Sequence, residues 1–440
     1  MAEPLKVGLA GLGTVGASVV ELLERGREQL VARCGRPIEV VAISARSRGK
    51  KRDFDTRKFR WAVDPFELAQ DPDIDAFVEV IGGAGDPAKS AVEAALASGK
   101  PVVTANKALL AHHGQKLAAL AEKHAVALNF EASVAGGIPI VKTLREGLSG
   151  ASFARLYGIL NGTCNYILSR MEQDRLAFDD CLREAQRLGY AEADPTFDVE
   201  GHDTAQKLSL LASLAFGAKV DPNATYVEGI SSITLADLDA AEELGYRVKL
   251  LGVAVRTEAG IEQRVHPTMV PKDSAIAQVM GVTNAITLDA TGLAPITLVG
   301  PGAGGAATAS AVVADLADIA RGIRTPPFGR PSAQMTSTRK APMQHHEGGY
   351  YIRLLARDRP GTAATIARRL AQQKISMESI VQRHAKGSPS ALRSGSSGES
   401  VPVIIITYAT SEDAVRKALA AVRRDRVVSG KPQVIRIEKN

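Results

Sequence analysis

Lys6-Val7-Gly8-Leu9-Ala10-Gly11-Leu12-Gly13-Thr14-Val15-Gly16 is the stretch that decides how this chain is read. The first five residues are a short aliphatic run of strand character. The last six are a Gly-x-Gly-x-x-Gly match, which alone is weak in a chain with 40 glycines. Its position strengthens it, because it follows a strand at once and opens the amphipathic stretch Thr14–Glu24. In that context Gly11 permits a tight turn, Gly13 lets the backbone approach a pyrophosphate, and Gly16 lets helix and strand pack closely. The free N–H groups of the first helical turn, Thr14 and Val15 included, favour an anion. The alternative is a plain strand-to-helix turn.

Working outward, aliphatic runs recur at Ile38–Ser44, Ile74–Ile81, Pro101–Thr104 and Val126–Phe130. Amphipathic stretches at Pro87–Ser98 and Lys107–His124 lie between them. This alternation predicts a mostly parallel sheet with crossover helices, an α/β domain of Rossmann-like type. The end of the second strand reports on the ribose. A site preferring NAD places an acid there to bond the 2′-hydroxyl. Here no acid occurs between Val40 and Arg52, and Arg46 stands just past the strand, followed by Arg48 and Lys50. A guanidinium there suits a 2′-phosphate, so NADP is the expected cofactor, with NAD also possible. The alternative for this segment is a solvated basic loop.

The remaining chain changes character twice. Helical patterns near 140–149, 163–174, 179–188 and 203–216 lead into strand-like runs at 248–256, 261–270, 283–290 and 295–300, a second, α+β unit. The helix Ala306–Ala320 is expected to return to the first domain. Residues 323–349 hold four prolines among polar residues and read as a linker; its His345 and His346 lack partner ligands and read as solvated. Beyond it the order is strand, helix, strand, strand, helix, strand, a ferredoxin-like unit, with a Gly- and Ser-rich loop over 387–400. The expected division is 1–140 for the dinucleotide (completed by 300–322), 141–299 for substrate binding and dimerisation, and 350–440 for the last unit.

Composition narrows the classes. Hydrophobic residues make up 45% and charged residues 23%, ordinary for a globular chain, while aromatics at 4% predict an aliphatic core. No apolar run reaches the roughly 18 residues of a membrane helix, and no secretory signal is evident. The odd set Cys34, Cys164 and Cys181 fits a reducing cytoplasm rather than a disulfide framework. A net charge of +6, with dispersed basic residues, suits a polyanionic small molecule and not nucleic acid.

The densest chemistry lies between Glu192 and Lys207, where Asp194, Asp198, Glu200 and Asp203 also fall. Pro195 and Gly201 break any helix through it, so a shaped turn enters a new helix. Asp203 and Lys207 are four apart and share a face. Leu208, Leu210 and Leu211 put that lysine at the border of buried structure, where a partly desolvated lysine beside carboxylates is a good proton carrier. Cys164 has no nearby His in sequence and reads as packing, which weighs against a thiol-dependent aldehyde dehydrogenase. The acid–lysine cluster weighs against a non-catalytic amino-acid sensor.

With these motifs in view, the chain resembles homoserine dehydrogenase, in the bacterial form with a C-terminal ACT domain. The resemblance covers nearly the whole chain. It rests on GLGTVG at 11–16, GG at 82–83, VVTANKALLA at 102–111, EASVAGGIPI at 131–140, GILNGTCNYIL at 158–168, the acidic stretch 189–207, GPGAGGAATASAVVADL at 300–316 and DRPG at 358–361. Ala307, where the family often has Pro, and the small residues Thr362, Ala363 and Ala364 depart from its pattern. The resemblance implies interconversion of L-homoserine and L-aspartate 4-semialdehyde with NAD(P)(H), on the route to threonine, methionine and isoleucine. It implies that Lys207 is the catalytic lysine and that Lys107 lies between cofactor and substrate. Glu192, Asp198 and Asp203 would hold the substrate, with Thr163 near its carboxylate. Gly304 would close over the cofactor. Glu131, Val134, Gly136 and Ile138 would form a structural sodium site, chiefly through backbone carbonyls. It further implies a homodimer or homotetramer joined through the middle sheet, and an ACT domain that answers to L-threonine.

Overall fold

The structure is a computed structural model describing residues 2–52, 54–337, 341, 347–382 and 400–438. His345, His346 and residues 387–399 of the Gly- and Ser-rich stretch lie outside the described residues.

Six parallel strands form the first sheet: β1 (Leu5–Ala10), β2 (Ile38–Ser44), β3 (Arg60–Trp61), β4 (Ala76–Glu79), β5 (Val102–Thr104) and β6 (Leu128–Asn129). Their order is β3-β2-β1-β4-β5-β6. The chain winds one way from β1 to β3 and the other way from β4 to β6. A crevice therefore opens past the carboxyl ends of β1 and β4, the usual place for a ligand in such sheets. β4 is buried along its whole length, as its run of apolar residues requires in a sheet covered on both faces. It is shorter than Ile74–Ile81, because the Glu79 carboxylate accepts the N–H groups of Ile81 (2.7 Å) and Gly82 (3.0 Å) and curls the chain out of the sheet. The helix Thr14–Arg25 buries Gly16, Val19, Val20 and Leu23, a helical stripe. Against it packs the helix Gly305–Ala320, whose Ala309, Val312 and Leu316 are fully buried in the same core.

The second sheet contains a strand that periodicity did not reveal, β7 (Phe153–Ile159). Arg155 and Tyr157 interrupt its apolar pattern, and the Arg155 guanidinium lies over the Tyr157 ring at 4.2 Å. With β8 (Tyr226–Val227), β9 (Tyr246–Thr257), β10 (Gly260–Pro271), β11 (Thr283–Ala290) and β12 (Ile296–Pro301) it gives the antiparallel order β12-β11-β7-β9-β10. β8 pairs with β10 from outside that path. The helices Arg27–Cys34 and Leu235–Glu243 were likewise unanticipated; the first buries no residue, so no apolar stripe marks it.

The C-terminal unit is ferredoxin-like. Its strands are β13 (Glu347–Arg357), β14 (Met377–Gln382), β15 (Ser400–Thr407), the short β16 (Thr410–Ser411) and β17 (Val428–Ile437), in the order β17-β13-β15-β14. β17 also pairs in parallel with β10, through Thr268 with Arg436 and Met269 with Ile437, so one sheet of 11 strands runs through both units. Beside that seam the fully buried Asp237 takes Arg353 at 2.7 and 3.0 Å and the Tyr351 hydroxyl at 3.0 Å.

The segment 323–349, read above as a linker, is docked over its described part. Phe328 is fully buried against Phe130, ring centroids 5.2 Å apart. The Glu122 carboxylate accepts both the N–H and the hydroxyl of Ser332. Prolines stiffened this stretch without freeing it, because one aromatic anchor and one capped turn hold it on the helix Lys107–Lys123.

Candidate active site

The glycine turn has the shape its spacing requires. Gly11 sits at φ +104°, and a Cβ there would stand 2.5 Å from the Val80 carbonyl oxygen. A Cβ on Gly16 would stand 2.0 Å from the Gly11 carbonyl oxygen. Neither position admits another residue. Gly13 meets nothing within 4 Å on its Cβ side, so the turn is bare toward the crevice. Gly304 precedes the helix Gly305–Ala320 at φ +107°, and Gly305 lies close over Thr14 and Ser18. The helix that opens at Thr14 turns its unpaired N–H groups and positive dipole end toward a hollow whose wall also carries Glu21 and Glu24.

That hollow, about 680 Å³, is lined by Gly13, Thr14 and Ser18 on one side and Lys50, Lys51 and Arg52 on the other. Arg46 is exposed just past β2 and lies outside these walls. Arg48 and Arg52 stack over Trp61 at 5.7 and 5.5 Å, and Arg52 donates to the Lys50 and Ser47 carbonyls at 2.8 Å each. Sequence reasoning missed Trp61 and Arg52. The signal was available, since Trp61 is the only tryptophan and stands nine residues after the basic run.

The carboxylate–lysine cluster forms where the acidic stretch enters the helix His202–Phe216. Asp203 is 4% exposed, and its two oxygens take Lys207 Nζ at 2.8 Å and Lys107 Nζ at 3.1 Å. Burial penalises the Asp203 charge, but the two ammonium groups outweigh it and hold the carboxyl well below the usual range. Lys207 also donates to the Leu160 carbonyl at 2.8 Å. Lys107 reaches the cluster from the first turn of its helix, where Asn106 caps the Leu109 N–H at 3.0 Å and ties to the Gly83 carbonyl at 2.7 Å. Asn161, given no role in the sequence reading, donates to Asp198 at 2.8 Å and to Asp203 at 2.9 Å. Burial first, and then the neighbouring Asp203 charge, push the Asp198 carboxyl up. The only clue to Asn161 was its place as a potential cap before Gly162-Thr163-Cys164.

Thr163 is buried and donates to the Tyr190 carbonyl at 2.6 Å, pinning the start of the acidic stretch. Glu192 is exposed, and its carboxylate makes no ion pair among the described residues; the structure does not bring it to Asp203. Cys164 is fully buried, with its thiol on the Asp198 carbonyl at 3.2 Å. Burial and the charge of Asp198 raise that thiol well above its ordinary value, so it is a poor nucleophile. A cavity of about 240 Å³ joins Lys107 and Lys207 to Val15, Gly302 and Thr308, placing the cluster beside the glycine turn.

Glu131 is buried, and burial raises its carboxyl. Its side chain accepts the N–H groups of Val141 and Lys142, each at 2.8 Å, and so caps a helix start. Ile138 gives its carbonyl to Ile140 N–H at 2.8 Å, while Val134 and Gly136, the latter at φ +54°, shape the turn between. Glu131 N–H donates to Asp315, whose other oxygen is buried without a hydrogen-bond partner among the described residues. Lys142 Nζ stands 3.7 Å from that oxygen, and burial pushes the Asp315 carboxyl up to about 7. No cluster of three His, Cys, Asp or Glu residues able to hold a metal occurs among the described residues.

Comparison with known proteins agrees with this geometry. Residues 11–131 match the family "Homoserine dehydrogenase, NAD binding domain", residues 139–317 match "Homoserine dehydrogenase", and residues 350–425 match "ACT domain". The chain is 45% identical to a homoserine dehydrogenase of Pseudomonas aeruginosa and 43% identical to one of Neisseria gonorrhoeae, with 99% of each chain covered in both cases. A crystal structure of a homoserine dehydrogenase from Thiobacillus denitrificans superposes with a TM-score of 0.91 at 44% identity, covering 99% of this chain and 98% of that one. A hyperthermophilic archaeal homoserine dehydrogenase in complex with NADPH superposes at 0.60 with 27% identity, over 72% of this chain and 97% of its own.

Proposed function

Since the chain belongs to the homoserine dehydrogenase family of NAD(P)-dependent oxidoreductases, we propose that it interconverts L-homoserine and L-aspartate 4-semialdehyde with NADP(H). The bridged trio Lys107–Asp203–Lys207, one cavity away from the glycine turn, is the observation that carries this reading. When bound, the nicotinamide supplies hydride chemistry. The helix N-terminus past Gly13, with Gly304 nearby, would hold the pyrophosphate, and the basic loop with Arg46, Lys50 and Arg52 would favour the 2′-phosphate.

Lys207 moves the proton. As an amine it accepts from the homoserine hydroxyl during oxidation, and as an ammonium it donates to the carbonyl oxygen during reduction. Asp203 keeps Lys207 and Lys107 oriented and offsets their charge. Asp198 and Glu192 answer the substrate ammonium, which requires the exposed Glu192 turn to close over it. Thr163 positions the turn opposite the substrate carboxylate. A structural sodium ion at Glu131, Val134, Gly136 and Ile138 belongs to the same proposal; replacing sodium by choline should then lower the thermal midpoint. So do a cytoplasmic homodimer or homotetramer joined through the middle sheet, a place on the route to threonine, methionine and isoleucine, and threonine feedback through the ACT domain. Among the described residues no helix is long and apolar enough to cross a membrane.

The decisive experiment is oxidation of L-homoserine by the purified chain at alkaline pH with NADP or NAD. Turnover with NADP preferred is the expected result. No turnover with either cofactor removes the reading.

A further inference from the structure

Glu79, the last residue of β4, is a fully buried carboxylate that the chemistry above does not use. It makes no ion pair among the described residues, and its two oxygens take three donors instead. Oε1 accepts the N–H groups of Ile81 and Gly82, and Oε2 accepts the Thr104 hydroxyl at 2.6 Å. Burying a polar group is costly unless its hydrogen bonds are made, so these three donors are what hold the carboxylate in place.

Thr104 passes the tie on. It ends β5, the strand beside β4, and is itself fully buried. Its hydroxyl has one proton, which goes to Glu79, and a lone pair that accepts the Asn106 N–H at 3.0 Å. The Asn106 side chain donates in turn to the Gly83 carbonyl at 2.7 Å. That closes a ring between the chain leaving β4 and the chain leaving β5, and the next residue along is Lys107. The Thr104 carbonyl also accepts the Ser133 hydroxyl at 2.9 Å.

The three segments gathered by this network are walls of one space. Residues 80–82, 105–107 and 132–134 all line the cavity of about 240 Å³ that Lys207 also borders. Gly82 and Gly83 sit at φ +87° and +86°, so the turn after β4 has no side chain of its own to lock it and leans on Glu79 and Asn106. Lys107 stands on a long flexible stem, and its ammonium meets Asp203 at 3.1 Å. Fixing the backbone at the root of that stem fixes where the ammonium can stand. A displacement of about 1 Å at a reacting group costs on the order of 10²-fold in rate.

We propose that Glu79 is a positioning residue for the reaction: through Thr104 and Asn106 it sets the backbone from which Lys107 reaches between cofactor and substrate. This deepens the reading given above and rests on the role that reading gives Lys107.

The test is a double-variant cycle on the full chain, with homoserine oxidation followed at saturating NADP. Thr104→Val keeps the shape and removes the hydroxyl of the relay, whereas Thr104→Ser keeps the hydroxyl. The expected kcat falls by roughly 10–100-fold in T104V and returns to within about threefold of the wild type in T104S. The Kd for NADP, read by fluorescence, should move by less than about threefold in both. In a K107M background T104V should lower kcat by less than about twofold further, because the group it misplaces is gone. Reductive methylation read by mass spectrometry needs no turnover: Lys107 should label faster in T104V than in the wild type, with Lys116 of the same helix unchanged. A near-normal kcat in T104V, a loss that multiplies in full onto K107M, or unaltered labelling of Lys107 overturns the relay and leaves the proposed reaction standing. Turnover of K107M equal to that of the wild type instead removes Lys107 from the reaction, and the relay with it. If T104V does not fold, Glu79→Gln, which keeps the shape but turns an amide N–H toward Thr104, takes its place in the same cycle with the same outcomes.

Discussion

Asn161→Asp separates the positioning of the active-site carboxylates from the stability of the helix that carries them. Asn161 Oδ1 accepts the Cys164 N–H at 2.9 Å and caps the helix Gly162–Asp174, while its Nδ2 donates to Asp198 and Asp203. The substitution keeps a cap acceptor but turns the shared donor into a third carboxylate. Two like charges about 4 Å apart repel by roughly 4 kcal/mol at an effective dielectric of ~20. At 1.36 kcal/mol per unit that is about 3 pKa units. Asp203 is pinned in its charged form by Lys207 and Lys107, so Asp198, already raised by burial and by Asp203, takes up the proton. A carboxyl with a higher pKa loses its charge at a higher pH as the solution is acidified. The acid limb of kcat/KM for homoserine should therefore move up by ~2–3 pH units, with activity recovering on the alkaline side. Initial rates of homoserine oxidation at saturating NADP, from about pH 6 to pH 10, read this directly. Asn161→Ala loses the cap as well and should lower stability by about 1 kcal/mol more. An acid limb left where the wild type has it, with kcat/KM within about twofold throughout, refutes the role given to Asn161.

Lys207→Ala should lower turnover by roughly 10²–10⁴-fold while NADP binding, followed by fluorescence, stays intact; near-normal turnover would remove Lys207 from the mechanism. Arg46→Ala should raise the NADP KM far more than the NAD KM, and equal losses would move the 2′-phosphate contact to Lys50 and Arg52, which the structure places on the hollow. Arg353→Met should cost about 3 kcal/mol in urea unfolding, the low end for one partner of a buried pair, since Asp237 keeps Tyr351 and Thr234; the double variant D237N/R353M should recover most of it, and a cost near zero would make the seam energetically idle. Burial lowers Lys249 to about 7, so between pH 7 and its unfolded value of about 10.5 the unfolded chain holds more protons and stability rises with pH. Lys249→Met should flatten that rise between pH 7 and pH 9, and an unchanged slope would show that another group causes it.

The seam alters what truncation would mean. Removing 341–440 strips β10 of β17 and Asp237 of Arg353, so it takes away a structural surface along with any effector site.

Local pattern was enough for the Rossmann-like sheet, the ferredoxin-like unit and much of the site. Ile38–Ser44 and Thr283–Ala290 are bounded as their periodicity indicates, and the glycines at 11, 13 and 16 adopt the turn their spacing demands. Asp203 and Lys207 meet because residues four apart on a helix must. Each of these features depends on neighbours in the chain, so composition and spacing carry it. Tertiary structure alone decided the rest. β7 carries the half-buried Arg155 and Tyr157, and Asp289 and Glu438 from elsewhere in the chain hold Arg155, which masks its strand pattern. Lys107 reaches Asp203, and Asn161 bridges Asp198 and Asp203, across separations no local period encodes. Arg436 is buried because Glu228 and Glu412, from two different units, compensate its charge together. A sequence shows which residues carry charge and which faces are apolar, whereas which distant charge satisfies which is settled only when the elements pack and every buried polar group must find a partner.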